Sequence, residues 1–118
     1  MVNPVGLKGQ IHGGVMQGLG QAVMEQVVYD RQSGQMLTGS FMDYAMPRAA
    51  DLAAISVTSN PVPTRRNPLG AKGAGEAGTV GALPAIVNAV MDALAPIGVK
   101  NLDMPTTSAR IWWAMQNL

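Results

Sequence analysis

The stretch Gly70-Ala71-Lys72-Gly73-Ala74-Gly75-Glu76-Ala77-Gly78 combines four glycines with a single carboxylate, Glu76. Backbone with so little side-chain bulk lets a ligand lie directly against its N–H groups. Glu76 is the one group in the stretch able to act as a base toward such a ligand. An apolar helical pattern follows, and the N-terminal end of a helix favours a negative group. Gly73 to Gly78 formally matches the dinucleotide fingerprint G-x-G-x-x-G. The fingerprint requires a buried strand immediately before it, and Asn67-Pro68-Leu69-Gly70-Ala71-Lys72 is not one. A phosphate-binding P-loop fails for want of a closing Gly-Lys-Ser/Thr. What survives is a bare-backbone site for an anion or polar cofactor. Taken alone, a Glu in a glycine loop is most often a solvated loop residue.

Other chemistry-bearing residues are sparse. Gln17 stands between glycines in Gly14-Val15-Met16-Gln17-Gly18, where a neutral amide beside bare backbone can hydrogen-bond a cofactor. The commoner role for such a residue is an exposed polar position on a helix. His12 is the only histidine and cysteine is absent, which argues against a metal site, a disulfide or an iron–sulfur cluster built by this chain. Lys72 can pair with Glu76 or contact a ligand, although a flexible surface lysine is the default. Nine methionines read as core filler.

The elements that must carry these residues can be read from periodicity. Residues 10–29 form a first helix, with Val15, Leu19, Val23 and Val27 recurring every four positions. Glycines at 13, 14, 18 and 20 each cost about 1 kcal/mol against Ala in a helix interior. Their clustering predicts a neighbour packed hard against that end, with Gly14 and Gly18 on one face. Asp30–Gly34 is a turn, about which Gln26–Tyr29 and Gln35–Thr38 pair as a short hairpin. Pro47 ends an extended stretch at Met46. Ala54–Ser59 alternates in the period of a half-buried strand, and the three prolines of Asn60–Pro68 make that segment irregular. A helix over 80–94 turns Val80, Leu83, Val87, Val90, Met91 and Leu94 inward, starting between Thr79 and Pro84 because Pro84 suits only a first turn. A last helix, 106–117, is capped by Thr106 or Thr107 and buries Ile111, Trp112 and Met115. Trp112 and Trp113 then divide into one core ring and one partly exposed ring. The fold class is α+β: about three helices with a few short, mainly antiparallel strands, in a single partial domain over 1–118.

Composition suggests why the domain is partial. Only 13% of the residues are charged, against roughly a quarter in soluble domains, and the mean hydropathy is +0.15. So little charge leaves surface that expects a partner. Net charge is +1 with 4% aromatics, which excludes the basic, aromatic-laced surface of a nucleic-acid binder. The apolar run from Gly81 to Val99 holds Asn88 and Asp92 and reads as a buried helix, with no membrane span. Met1-Val2-Asn3-Pro4 has no signal-peptide character and looks like a cut into a longer sequence.

These signals occur together in a specific order. Gly9-Gln10-Ile11-His12-Gly13-Gly14-Val15-Met16-Gln17-Gly18-Leu19-Gly20 comes first, then Gly39-Ser40-Phe41-Met42-Asp43-Tyr44-Ala45-Met46-Pro47. Asn67 to Thr79 follows, and Met104-Pro105-Thr106-Thr107 closes the series. Across essentially the whole chain this resembles the C-terminal part of the large, molybdenum-cofactor-binding subunit of the xanthine dehydrogenase and aldehyde oxidase family. Bacterial aldehyde, isoquinoline and carbon-monoxide-dehydrogenase-type members are nearest.

The resemblance implies an oxidoreductase that hydroxylates aldehydes or N-heterocycles with water at a molybdenum-pterin cofactor. Glu76 falls in the place of the family's general base, which takes the proton from the attacking hydroxide. Gln17 matches a glutamine that hydrogen-bonds the cofactor, and Gly73, Ala74 and Gly75 match backbone lining the pterin. This chain supplies no metal ligand, and other segments hold most of the cofactor and select the substrate. The implied partners are the remainder of the large subunit, an iron–sulfur subunit, with a flavin subunit as a further candidate, and a small-molecule substrate. The implied compartment is the cytoplasm, with the periplasm for some members. Two rivals stand beside this reading: a non-catalytic piece that docks on the rest of the subunit, and, ranked lower, nucleotide-dependent chemistry through the glycine loop.

Overall fold

A computed structural model describes residues 1–51 and 54–117. Three helices carry the architecture: α1, Pro4–Val23; α2, Ala77–Leu94; and α3, Ser108–Gln116. Single 3₁₀ turns stand at Phe41–Asp43, Ala49–Asp51 and Ala95–Ile97.

The first helix lies six residues N-terminal to the span predicted from its valines. Asn3 caps it, its side-chain oxygen accepting from the Gly6 amide at 2.8 Å, and Pro4 occupies the first helical position. Both the Met24 and Glu25 amides close onto the Gly20 carbonyl, ending α1 before Val27, which is exposed. The buried face is not the valine stripe. It is the row Gly14, Gly18 and Ala22, which meets Gly78 and Ala82 of α2.

That crossing is as tight as backbone allows. A Cβ on Gly18 would stand 2.7 Å from the Ala82 Cβ and 3.0 Å from the Thr79 carbonyl oxygen. One on Gly14 would meet the Thr79 nitrogen at 3.0 Å. The expected close packing at Gly14-x-x-x-Gly18 is therefore present. The segment ahead of α3 locks the other end of α1. Thr106 is fully buried, and both its amide, at 2.7 Å, and its hydroxyl, at 3.0 Å, donate to the Ala22 carbonyl.

The expected strands are not seen among the described residues. Around the Asp30–Gly34 turn the predicted hairpin shrinks to an isolated antiparallel bridge between Tyr29 and Met36. Its amides of Asp30 and Leu37 donate to Gln35 and Val28 at 2.8 Å each. Ser33 closes the turn, its hydroxyl and amide donating to Asp30 and holding that carboxyl below its usual range. At 55–58 the burial alternates as predicted, with Ile55 and Val57 half-buried and Ser56 and Thr58 exposed. A strand needs a neighbouring strand for its backbone groups, and none lies beside this one in the described residues. The α+β expectation is thus corrected to a helical chain with extended connections.

The second helix begins at Ala77, earlier than predicted, and carries Pro84 in its interior. It is also less buried than expected: Leu94 is buried, but Val80 is 66% exposed. The stretch Ala77–Ile97 is long and apolar enough to cross a membrane, with 11% of its most apolar window buried. The last helix is capped as predicted by Thr107, whose hydroxyl accepts from the Arg110 amide. Its aromatic face is open. Trp112 and Trp113 pack edge to face, centroids 5.0 Å apart, yet are 54% and 60% exposed, and Met115 is exposed too. The predicted burial of Trp112 and Met115 does not hold within this chain.

These departures share one physical cause, a shortage of enclosed interior. Among the described residues the buried apolar side chains are Ala22, Ala82, Leu94 and Val99. The accessible surface is 9089 Å², against about 6,100 Å² for a folded monomer of this mass. The radius of gyration is 18.1 Å, against about 13.5 Å for a compact domain of this length. About 3,000 Å² of surface is thus in excess on this chain alone, well above the roughly 800 Å² that one partner contributes to a standard interface.

Candidate functional site

The glycine loop is tied down at both ends and open between. At its start Asn67 grips the backbone of Ala71 twice, accepting from its amide at 3.1 Å and donating to its carbonyl at 2.9 Å. Gly70 turns the chain with φ of +62°, where a side chain would also strike Pro63, so this position demands glycine. At the far end the Gln10 side chain of α1 donates to the Gly75 carbonyl at 2.8 Å. Between these ties, the amides of Gly73, Ala74 and Gly75 donate to no group among the described residues. A Cβ placed on Gly73 or Gly75 would meet nothing within 4 Å. The loop therefore leaves its backbone uncovered at Gly73 and Gly75, which are exposed, with Ala74 half-buried between them.

Glu76 closes the loop as the residue preceding α2. Its carbonyl accepts from Val80 at 3.1 Å, so its backbone starts the helix. Its side chain makes no capping hydrogen bond and is exposed. The carboxylate is free of structural duty at the positive end of an 18-residue helix. Three residues on, the Thr79 hydroxyl donates to the Gly14 carbonyl at 3.0 Å, fixing this end of α2 to α1.

Gln17 is exposed on α1. Gln10, Gly14 and Gln17 follow the i, i+4, i+7 spacing of one helix face, and roughly 10 Å of axial rise separates the two glutamines. One side of α1 therefore carries the amide that ties down the loop and the amide assigned to a cofactor. His12 is occupied elsewhere, its Nε2 lying 3.2 Å from the Ile55 carbonyl oxygen. No cluster able to hold a metal ion exists among the described residues. Two surface grooves, one beside Asn88, Met91 and Lys100, the other beside His12, Met16 and Arg48, include neither Glu76 nor Gly73–Gly75.

Chemically, the arrangement has the features suited to one wall of a site. Unused amides at the head of a helix suit the polar or anionic edge of a large ligand, a free carboxylate next to them can take a proton, and nothing in the described chain encloses the far side. Sequence reasoning missed the roles of Gln10, Asn67 and Thr79, whose side chains tie down the glycine loop and the start of α2. The helical spacing of Gln10 and Gln17 about Gly14 was the available signal for the first.

Comparison with known proteins supplies the context. Residues 1–53 match the molybdopterin cofactor-binding domain family. The chain is 39% identical over 98% of its length to the carbon monoxide dehydrogenase large chain of Hydrogenophaga pseudoflava, covering 14% of that protein. It is 31% identical over 95% of its length to a putative xanthine dehydrogenase molybdenum-binding subunit of Escherichia coli, again covering 14%. In structure it is similar to quinoline 2-oxidoreductase from Pseudomonas putida 86, with a TM-score of 0.92 and 39% identity over 99% of this chain and 15% of that one. The chain belongs to the molybdopterin-cofactor-binding large subunits of the molybdenum hydroxylase family, which includes the xanthine and carbon monoxide dehydrogenases, and spans about one seventh of the length of those relatives.

Proposed function

We propose that this chain forms one wall of the active site of a molybdenum hydroxylase acting on aldehydes or N-heterocycles, with Glu76 as its general base. The observation that carries this reading is the bare loop Gly73–Gly75 with unused amides, ending in a carboxylate that its own helix does not use. The residues fit a molybdenum-pterin cofactor as far as they reach. On binding, its polar edge would be held by the amides of Gly73, Ala74 and Gly75 and by a hydrogen bond from the Gln17 side chain on α1, with open space beside Gly73 and Gly75. When bound, the cofactor supplies the metal that accepts two electrons as the substrate gains an oxygen from water. Glu76 takes up the proton released as that oxygen becomes nucleophilic, on a carboxylate oxygen held at the helix start. The likeness to a quinoline oxidoreductase supports an N-heterocycle as substrate.

The remainder of the large subunit covers the excess surface, including Phe41 and Met42, which are 95% and 93% exposed. Iron–sulfur and flavin subunits carry the electrons onward, in the cytoplasm. The same exposed surface also favours a second reading, in which the chain docks on its complement without catalysis. Co-expression with the rest of the subunit, followed by molybdenum analysis and assays on an aldehyde and an N-heterocycle, separates the two. Turnover and molybdenum in the assembly but not in the isolated chain are expected. An assembly that holds molybdenum yet hydroxylates neither substrate class contradicts the proposal.

A further inference from the structure

The geometry points to Gln10 as a positioning residue for Glu76, an inference that rests on the reading of Glu76 as the base. The Gln10 side-chain amide donates to the Gly75 carbonyl at 2.8 Å across 65 residues of sequence. That carbonyl shares one planar peptide unit with the Glu76 nitrogen. Holding its oxygen fixes the plane from which the Glu76 Cα departs. Without the tie, Gly75 is free to rotate, since it is glycine and a Cβ there would meet nothing within 4 Å.

Glu76 thus lies between two attachments to α1. Gln10 holds the residue before it, and the hydroxyl of Thr79, three residues beyond, holds Gly14. The second attachment is backed by the helix crossing, where Gly78 and Gly14 already touch. The loop side has no such backing: between the Asn67 grip on Ala71 and the start of α2, Gln10 supplies the one side-chain tie among the described residues. Because Gln10 and Gln17 share a face of α1, the tie also sets the base in register with the amide assigned to the cofactor.

The test uses the complete large subunit. Gln10→Met keeps the length of the side chain and removes the donor, while Gln10→Lys restores a donor of similar reach. In the cofactor-free subunit, exchange of the Val80 amide, which donates to the Glu76 carbonyl at 3.1 Å, is expected to quicken about fivefold in Gln10→Met, the effect of one net hydrogen bond, and to return toward wild type in Gln10→Lys. In the loaded enzyme, turnover per bound molybdenum falls roughly ten- to hundredfold in Gln10→Met, the scale of a misplaced catalytic group, with KM unchanged. In a Glu76→Gln background the same substitution costs nothing further, because it acts through Glu76. Unchanged exchange of the Val80 amide, or a loss that adds fully to that of Glu76→Gln, overturns the inference. Should Gln10→Met fail to accumulate, Gln10→Asn, one methylene short of Gly75, is held to the same outcomes. If Glu76→Gln proves fully active, the base assignment falls, and the exchange data still judge the tie itself.

Discussion

Gly78 lies hard against the Ile11 carbonyl of α1: a Cβ on Gly78 would stand 2.7 Å from that oxygen and 2.9 Å from the Val15 nitrogen. Both obstacles are backbone, so neither can swing aside. The crossing of α1 and α2 therefore fixes the start of α2, and with it Glu76 two residues earlier. Helix packing and site geometry are one feature here.

Gly78→Ala is expected to destabilise the large subunit by about 1–3 kcal/mol, the ordinary cost of overpacking, and to lower its melting temperature. Gly18→Ala should do the same, because its Cβ would meet that of Ala82 at 2.7 Å. Thermal unfolding of the two variants beside wild type checks this, and an unchanged melting temperature would show that the helices separate without cost.

Gly73 gives the opposite pattern. A Cβ there meets nothing within 4 Å, so Gly73→Val should leave the melting temperature of the cofactor-free subunit near wild type. It should still lower molybdenum content, because the branched side chain would stand where the proposed cofactor edge lies. Metal analysis and calorimetry on one preparation separate the two effects.

Gln17→Ala should reduce cofactor occupancy more than turnover per bound molybdenum. The side chain is exposed on α1 and has no structural partner among the described residues, so its loss removes the proposed cofactor contact and little else. Equal loss in both quantities would place Gln17 nearer the chemistry than assigned here.

The isolated 118-residue chain should self-associate and bind little or no molybdenum cofactor. Its excess surface of about 3,000 Å² carries Phe41, Met42, Trp112 and Trp113 in the open. Sedimentation and metal analysis of the pure chain check this prediction. A monodisperse monomer with stoichiometric molybdenum would contradict it.

How far the sequence was legible follows from where each signal originates. Local signals were readable: the Asp30–Gly34 turn, the Thr107 cap and the tight Gly14–Gly18 face all depend on neighbours in sequence or on one helix crossing. Signals that depend on distant surfaces were not. Val15, Leu19, Val23 and Val27 marked an apolar stripe, but the contact within this chain is made by the glycines beside it. Ile55 and Val57 alternate as a strand would, with no partner strand among the described residues. Trp112 and Met115 read as core and lie exposed. In the candidate site, the uncovered glycine backbone beside Glu76 was legible from composition, whereas Gln10 and Asn67 act through hydrogen bonds that only folding brings together.

The most direct test of the central claim is turnover per bound molybdenum in the Glu76→Gln variant of the assembled enzyme. An amide keeps the shape of the side chain and removes the proton acceptor, and the Glu76 side chain caps nothing, so folding and cofactor content should stay near wild type. Positioned general bases contribute typically 10²–10⁴-fold, and a loss of about 10⁴-fold is expected, because this base also generates the nucleophile. Turnover per molybdenum close to wild type would contradict the assignment and leave the loop a structural element.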